Sequence, residues 1–261
     1  MRQPEDTRGI LQPGEALRNL AIQRDPLPAD LAPYTDWMWG VRWDLPPDVE
    51  HHQETLPAPC VHLVFEDGGF FVHGPGTKRF EVTLSGRGWV RGIRFRPAGF
   101  RAFFARPIHE LTDRVVAADT LLEAAPPAPQ TFDDAGDALV AYLRANGPRP
   151  DPKIEQLNEL VAAAQREGST LRVEGLARLA GVSTRSLHRL FADYVGVSSK
   201  WIVRRARVHD AAERVARGER IDWAQLASEL GYSDQAHLIR DFRAQVGFTP
   251  SQYARRCQTD P

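Results

Sequence analysis

The chain has 261 residues, 42% of them apolar and 26% charged, a balance that suits one large or two modest globular domains and excludes a disordered or collagen-like chain. No apolar run approaches the roughly 18 residues that cross a bilayer, and the first ten residues lack the charged, apolar and small-residue layout of a secretory signal. Two cysteines, Cys60 and Cys257, are too few for a disulfide framework or a four-thiolate zinc site, so a reducing cytoplasm and no membrane partner are expected.

Net charge is −1, but residues 169–261 carry 15 basic and 10 acidic side chains against 18 and 24 in the remainder. A basic C-terminal part on an acidic N-terminal one points to a polyanion partner; solvated helix faces are the bland alternative.

Residues 35–96 read as strands. Trp37, Trp39, Val41 and Trp43 alternate with Met38, Gly40 and Arg42, a period of two. Val61, Leu63 and Phe65 repeat it, as do Phe80, Val82 and Leu84, then Ile93 and Phe95. Pro46-Pro47, Asp67-Gly68-Gly69, Gly74-Pro75-Gly76 and Ser85-Gly86 mark the turns. A small antiparallel sheet, sandwich or barrel is expected.

After Pro97 the spacing of Phe100, Phe103 and Phe104 is helical. Ala124–Pro129 is rich in Ala and Pro, and residues 147–152 read as a stiff connector. Helices are expected over Asp133–Ala145 and Ile154–Arg166, and almost everything from Leu171 onward is helical.

That last part contains a repeat. Residues 171–183 align with 221–233 at an offset of 50. After one inserted residue, Leu187, Arg189, Phe191, Val195, Gly196 and Val197 match Leu238, Arg240, Phe242, Val246, Gly247 and Phe248 at an offset of 51. Each unit reads as helix, glycine turn and second helix, the helix-turn-helix layout. In the second unit Asp222 fits the N-cap and Gln225 the N3 place of a capping box, with Ile221 and Leu226 at the staple positions. Gly231 permits the left-handed turn, and Ser233 or Asp234 caps the next helix. The first unit has Arg172 in place of the cap, and Gly175 weakens its helix. Ser198–Arg217 is expected to be a linking helix of about 30 Å, close to the ~34 Å between successive major-groove faces of a duplex.

Leu176–Phe191 and Gly231–Arg243, closed by Gly247–Tyr253, resemble the DNA-binding domain of AraC/XylS-family bacterial transcription regulators. One departure is visible: Ser199 stands where the family usually has Pro, as Pro250 does in the second unit. Proline there only pre-sets φ, so a slightly softer helix start is expected. Trp39–Leu45, Leu56–Phe65 and Gly92–Arg101 resemble the small β-rich sensor domain found in front of such regulators.

The expected fold is therefore α+β: an N-terminal antiparallel sheet or barrel with helices, then an all-α part of two helix-turn-helix units on a linker helix. The expected division is 1–125 as a β-rich regulatory domain for effector binding or dimerisation, 126–168 as a helical connector offering a dimer surface, and 169–256 as the DNA reader.

The resemblance implies a regulator that reads double-stranded promoter DNA, with RNA polymerase as a partner and an effector or a second copy of the chain acting on the N-terminal domain. In the first unit Arg185, Ser186, His188 and Arg189 are the reading candidates, and in the second Gln235, Ala236, His237 and Arg240. Arg grips guanine O6 and N7, Gln suits adenine, and the Ala methyl suits thymine. Lys200, Arg204, Arg205 and Arg207 cluster on the linker helix, for phosphate contact or for packing against the N-terminal domain. Trp37, Trp39, Trp43, Phe65, Trp89 and Phe95 are candidates for an apolar effector pocket, against an ordinary sheet core.

No cofactor, catalytic constellation or metal set is expected. His51, His52, Glu54, His62 and His73 do not have the spacing of a cupin metal site. A cupin-like metal enzyme fused to a DNA reader, and a constitutive binder whose N-terminal domain only dimerises, are the alternatives.

Overall fold

The computed structural model describes residues 9–11, 13–123, 129–167 and 172–259. Residues 124–128 of the Ala/Pro-rich stretch and Leu171, where the repeat begins, lie outside the described residues. A short helix α1 (Pro13–Asn19) leads into strands β1 (Leu20–Asp25), β2 (Thr35–Asp44), β3 (Glu50–Thr55), β4 (His62–Glu66), β5 (Gly69–His73), β6 (Phe80–Ser85), β7 (Arg87–Phe95) and β8 (Val115–Ala117). Six of them form one antiparallel sheet in the order β1-β2-β7-β4-β5-β8, and β3 pairs with β6 in a separate ribbon. The β4–β5 hairpin shows how local chemistry sets register. Glu66 pairs with Gly69, leaving Asp67 and Gly68 as a two-residue loop, both at positive φ (49° and 75°), the combination that Asp-Gly supplies most readily.

Register divides the sheet into two faces. Met38, Leu63, Phe65, Trp89, Ile93 and Phe95 share one, and Trp37, Trp39, Val41, Trp43, His62 and Arg94 the other. Helix α2 (Phe132–Asn146) covers the first, burying Leu139, Tyr142 and Leu143 against Leu63, Ile93 and Phe95. Thr131 caps α2 by accepting from the Asp134 amide. Gly40 is needed beneath its first turn: a Cβ there would lie 2.3 Å from Cζ of Phe132. The Phe132 ring is held between the guanidinium groups of Arg42 and Arg91, 4.6 and 4.5 Å from its centroid. The Phe100 region is not the regular helix its spacing suggests. It forms a four-residue 3-10 turn, Gly99–Ala102, whose Phe100 packs on Phe95 at 5.0 Å.

The remaining helices are α3 (Pro152–Glu167), α4 (Val173–Leu179), α5 (Thr184–Tyr194), α6 (Ser199–Ala216), α7 (Trp223–Glu229), α8 (Gln235–Val246) and α9 (Pro250–Thr259). The apolar side of α3, with Ile154, Leu157, Val161 and Ala164, is buried against α5 and α6 residues such as Leu187, Phe191 and Ile202. That apolar side is therefore occupied within the chain. Ala98 and Ala102 join the same core, while Leu11 joins the second-unit core of Val208, Leu226, Leu230, Leu238 and Phe242. The N-terminal part thus contributes to the cores of both units.

Candidate nucleic-acid interface

Each unit is built as its capping residues dictate. Asp222 caps α7 by accepting from the Ala224 and Gln225 amides, whereas Arg172 makes no side-chain cap on α4. The Gln225 side chain turns forward to Glu229 at 2.9 Å, so the reciprocal half of the expected capping box is replaced by an i,i+4 bond. Gly181 and Gly231 take φ of 65° and 70° at the turns, where glycine avoids the Cβ penalty. Ser183 then caps α5, and Asp234 caps α8 by accepting from the His237 amide. That amide, aided by Ser233, holds the Asp234 carboxyl below its ordinary range.

Leu187 and Phe191 on α5, and Leu238 and Phe242 on α8, are fully buried. The opposite sides are open: Arg185, His188 and Arg189 are exposed on α5, and Gln235, Ala236 and Arg240 on α8. Two candidates are drawn inward. Ser186 is half-buried, with its hydroxyl on the Ser183 cap at 3.0 Å. His237 is half-buried, edge-on to Tyr232 at 5.0 Å with Nδ1 near Ser233.

The linker helix α6 has 18 residues, or about 27 Å of rise. Of its cationic cluster, Lys200 is exposed while three arginines are committed internally. Arg204 pairs with Asp241 of α8, its Nε donating at 2.7 Å to a carboxylate that is 4% exposed. Arg205 is buried and donates Nε to the Pro57 carbonyl at 2.7 Å. Burial lowers its pKa to about 10. Arg207 donates to the Gly231 carbonyl and lies over Tyr232. Burial withholds Arg205 from phosphate, while Arg204 and Arg207 are engaged in bonds to the second unit. Composition revealed the cluster, but only long-range partners reveal its use.

The six aromatic pocket candidates do not gather into one pocket, although Phe65 and Trp89 stack at 5.5 Å. Trp37, Trp39 and Trp43 lie on one face of the sheet and Phe65, Trp89 and Phe95 on the other. Trp37 is sandwiched by Arg24 and Arg94, Trp39 donates Nε1 to His62 Nδ1 at 3.1 Å, and Phe95 is in the core under α2. Trp43 and Trp89 reach a common hollow, an open depression of about 500 Å³ at the end of the sheet with Leu17, Leu20, Arg42 and Arg87. Period-two reading placed each residue in a strand but not on a shared face. Among the described residues, no group of three or more His, Cys, Asp or Glu is placed to hold a metal ion. Cys60 is buried, and burial pushes its thiol pKa up.

The N-terminal part contacts the C-terminal ends of both α5 and α8 at repeat-related glycines. Thr112 Oγ1 donates to the Gly196 carbonyl at 2.6 Å, where a Cβ would lie 2.9 Å from both Ile108 and Pro75. Arg79 reaches the last turn of α8 and stacks over Phe248 at 4.7 Å, with Arg256 also against that ring at 4.1 Å. Both arginines pair with Glu54. These contacts, like the internal use of α6, carry no short-range sequence signal.

With this geometry in view, residues 176–256 match the family described as "Helix-turn-helix domain", and residues 25–117 match one described as "Domain of unknown function (DUF6597)". An uncharacterized HTH-type transcriptional regulator of Haemophilus influenzae is 29% identical over 96 residues, 37% of this chain and 32% of that protein. The RCS-specific HTH-type transcriptional activator RclR of Escherichia coli is 28% identical over 109 residues, 42% of this chain and 36% of that protein. The matched segments thus span about a third of these relatives' length. The structure of the DNA-binding domain of AdpA, a global transcriptional factor, in complex with a target DNA covers 40% of this chain and 94% of its own at 27% identity and a TM-score of 0.35. Residues 176–256 thus carry the helix-turn-helix domain that this family model describes. No helix among the described residues is long and apolar enough to cross a membrane.

Proposed function

We propose that the whole chain is a cytoplasmic transcription regulator that reads promoter DNA with α5 and α8 in successive major grooves of one duplex face. The observation that carries this reading is the matched exposure of Arg185, His188 and Arg189 on one helix and Gln235, Ala236 and Arg240 on the other, with α6 between the units. Residues 1–125 act as the regulatory module, 126–168 as connector and 169–256 as reader. The docking of Thr112 on Gly196 and of Arg79 on the end of α8 supports control of the reader by that module rather than a purely dimerising role. The function is binding, not catalysis; a small-molecule effector, a second copy and RNA polymerase are the partners this reading entails.

The test is affinity for duplexes selected from a random pool. Arg189→Ala and Arg240→Ala should each weaken the selected site by about 1–3 kcal/mol, each relaxing a different base position. Lys200→Ala should weaken all sequences alike and lower the salt slope by about one, as a phosphate contact does. Unchanged affinity and preference in both arginine variants would reject the reading.

A further inference from the structure

Residue 199 breaks the repeat, and the structure shows what it does. Ser199 is the first residue of α6 and Pro250 the first of α9, 51 residues apart, the same offset that relates Arg189 to Arg240. The caps in front are equivalent: Ser198 accepts from the Trp201 amide, and Thr249 from the Gln252 amide. In the second unit proline at this place serves the backbone alone. In the first the residue is fully buried, 0% exposed, and its hydroxyl lies 2.9 Å from Nδ1 of His188. The offset that pairs Ser199 with Pro250 also pairs His188 with Ile239. So the two units differ together at both positions: a hydroxyl with an imidazole in the first, a proline with an aliphatic side chain in the second. Ile239 needs no polar partner; His188 has one.

The bond has a direction. Among the described residues the imidazole is the only hydrogen-bond partner of the Ser199 hydroxyl. Were that hydroxyl to accept from Nδ1–H, its own proton would be buried without an acceptor. Leaving a donor unsatisfied costs more than leaving a lone pair idle. Ser199 therefore donates to Nδ1, which fixes the neutral ring with its proton on Nε2. The ring is exposed on the open side of α5, so Nε2–H is offered as a fixed donor.

We infer that Ser199 is a positioning residue for base reading. It holds His188 so that Nε2 donates to a major-groove acceptor, of which guanine N7 and O6 are the best placed for a single donor. The inference rests on α5 being a reading helix. It makes the first unit's specificity depend on a residue of the linker helix that never touches DNA.

The experiment selects duplexes from a random pool with the full-length wild-type protein, then measures affinities for the selected duplex and its single-base variants. The proteins compared are wild type, His188→Ala, Ser199→Ala, Ser199→Pro and the double variant His188→Ile with Ser199→Pro, which installs the second unit's pair. Proline is allowed at a first helical position, so Ser199→Pro keeps the helix start if Ser199→Ala loosens it.

The expected result is one base position, with a guanine in the selected duplex, at which wild type discriminates by about fivefold to tenfold, as one hydrogen bond can. His188→Ala and both Ser199 variants should lose that discrimination and keep it elsewhere. The double variant should lose no more than either single change and should melt no lower than Ser199→Pro. Retained discrimination in both Ser199 variants, or equal weakening at every position, overturns the inference while DNA reading stands. A wild-type protein that enriches no sequence overturns the reading itself.

Discussion

The two helix-turn-helix units share a pattern but are held by different chemistry. The second has an acidic cap on each helix, Asp222 and Asp234, and its α8 is clamped to α6 by the Arg204–Asp241 ion pair. The first has no side-chain cap on α4, a serine cap on α5, and a His188–Ser199 bond to α6. It is instead packed on α3 and on Ala98 and Ala102 of the N-terminal part. Both units have apolar cores joined by the N-terminal part, but the second adds charged caps and an ion pair where the first adds hydroxyl bonds. The same chain pattern reaches the same shape by two routes, and each route fails under a different challenge.

The largest effect should come from acid, which attacks the helix the units share. His209 of α6 and His62 of the sheet are both held at a pKa of about 3, mainly by burial and then by nearby arginines. Because these values lie below the ordinary 6.5, the unfolded chain takes up protons first. Stability from these groups is complete above about pH 6.5 and is lost as pH falls toward 3. Urea midpoints should fall across that window, and His209→Gln should flatten the fall. A flat profile in the wild-type protein would show that α6 does not rest on neutral imidazoles.

Next, Arg204→Ala should destabilise the protein by about 3 kcal/mol, because it strands a buried carboxylate. Asp241→Ala should cost less, since Arg204 is 40% exposed and stays hydrated. Equal costs in urea unfolding would contradict the clamp. A third comparison uses the repeat-related glycines, both at φ 85°. Gly196→Ala should cost about 2–3 kcal/mol, as its Cβ would press on Ile108 and Pro75. Gly247→Ala should cost about 1–2 kcal/mol, since its Cβ meets the end of the Arg79 side chain and no backbone atom. The smallest effect is at the caps. Arg172→Asp should stabilise by about 0.5–1 kcal/mol and Asp222→Ala should destabilise by about 1 kcal/mol, both read as shifts in melting temperature.

Much of this was legible in the chain. The repeat, the glycine turns, the cap at Asp222, the choice of Ser233 or Asp234 for the next cap, and the buried Leu187, Phe191, Leu238 and Phe242 follow from spacing within a dozen residues. Helices α2 and α3 fall within one or two residues of their expected ends. The 3-10 turn at Gly99–Ala102 did not, because three phenylalanines at helical spacing satisfy a tight turn as well as a helix. The aromatic set failed as a pocket because alternation assigns a side chain to one of two faces relative to its own strand. Which face of β4 and β7 matches which face of β2 depends on pairing register.

The sequence by itself determined the local grammar: where helices start and stop, which side of each is apolar, and that one module occurs twice. Those properties depend on residues within one or two turns of each other. The tertiary structure alone decided the fate of polar side chains whose partners lie far along the chain. Arg205 found Pro57, Arg79 found the end of α8, and Arg204 found Asp241. A hydrogen bond depends on distance and angle in space, and those exist only once the packed sheet and helices have brought remote segments together.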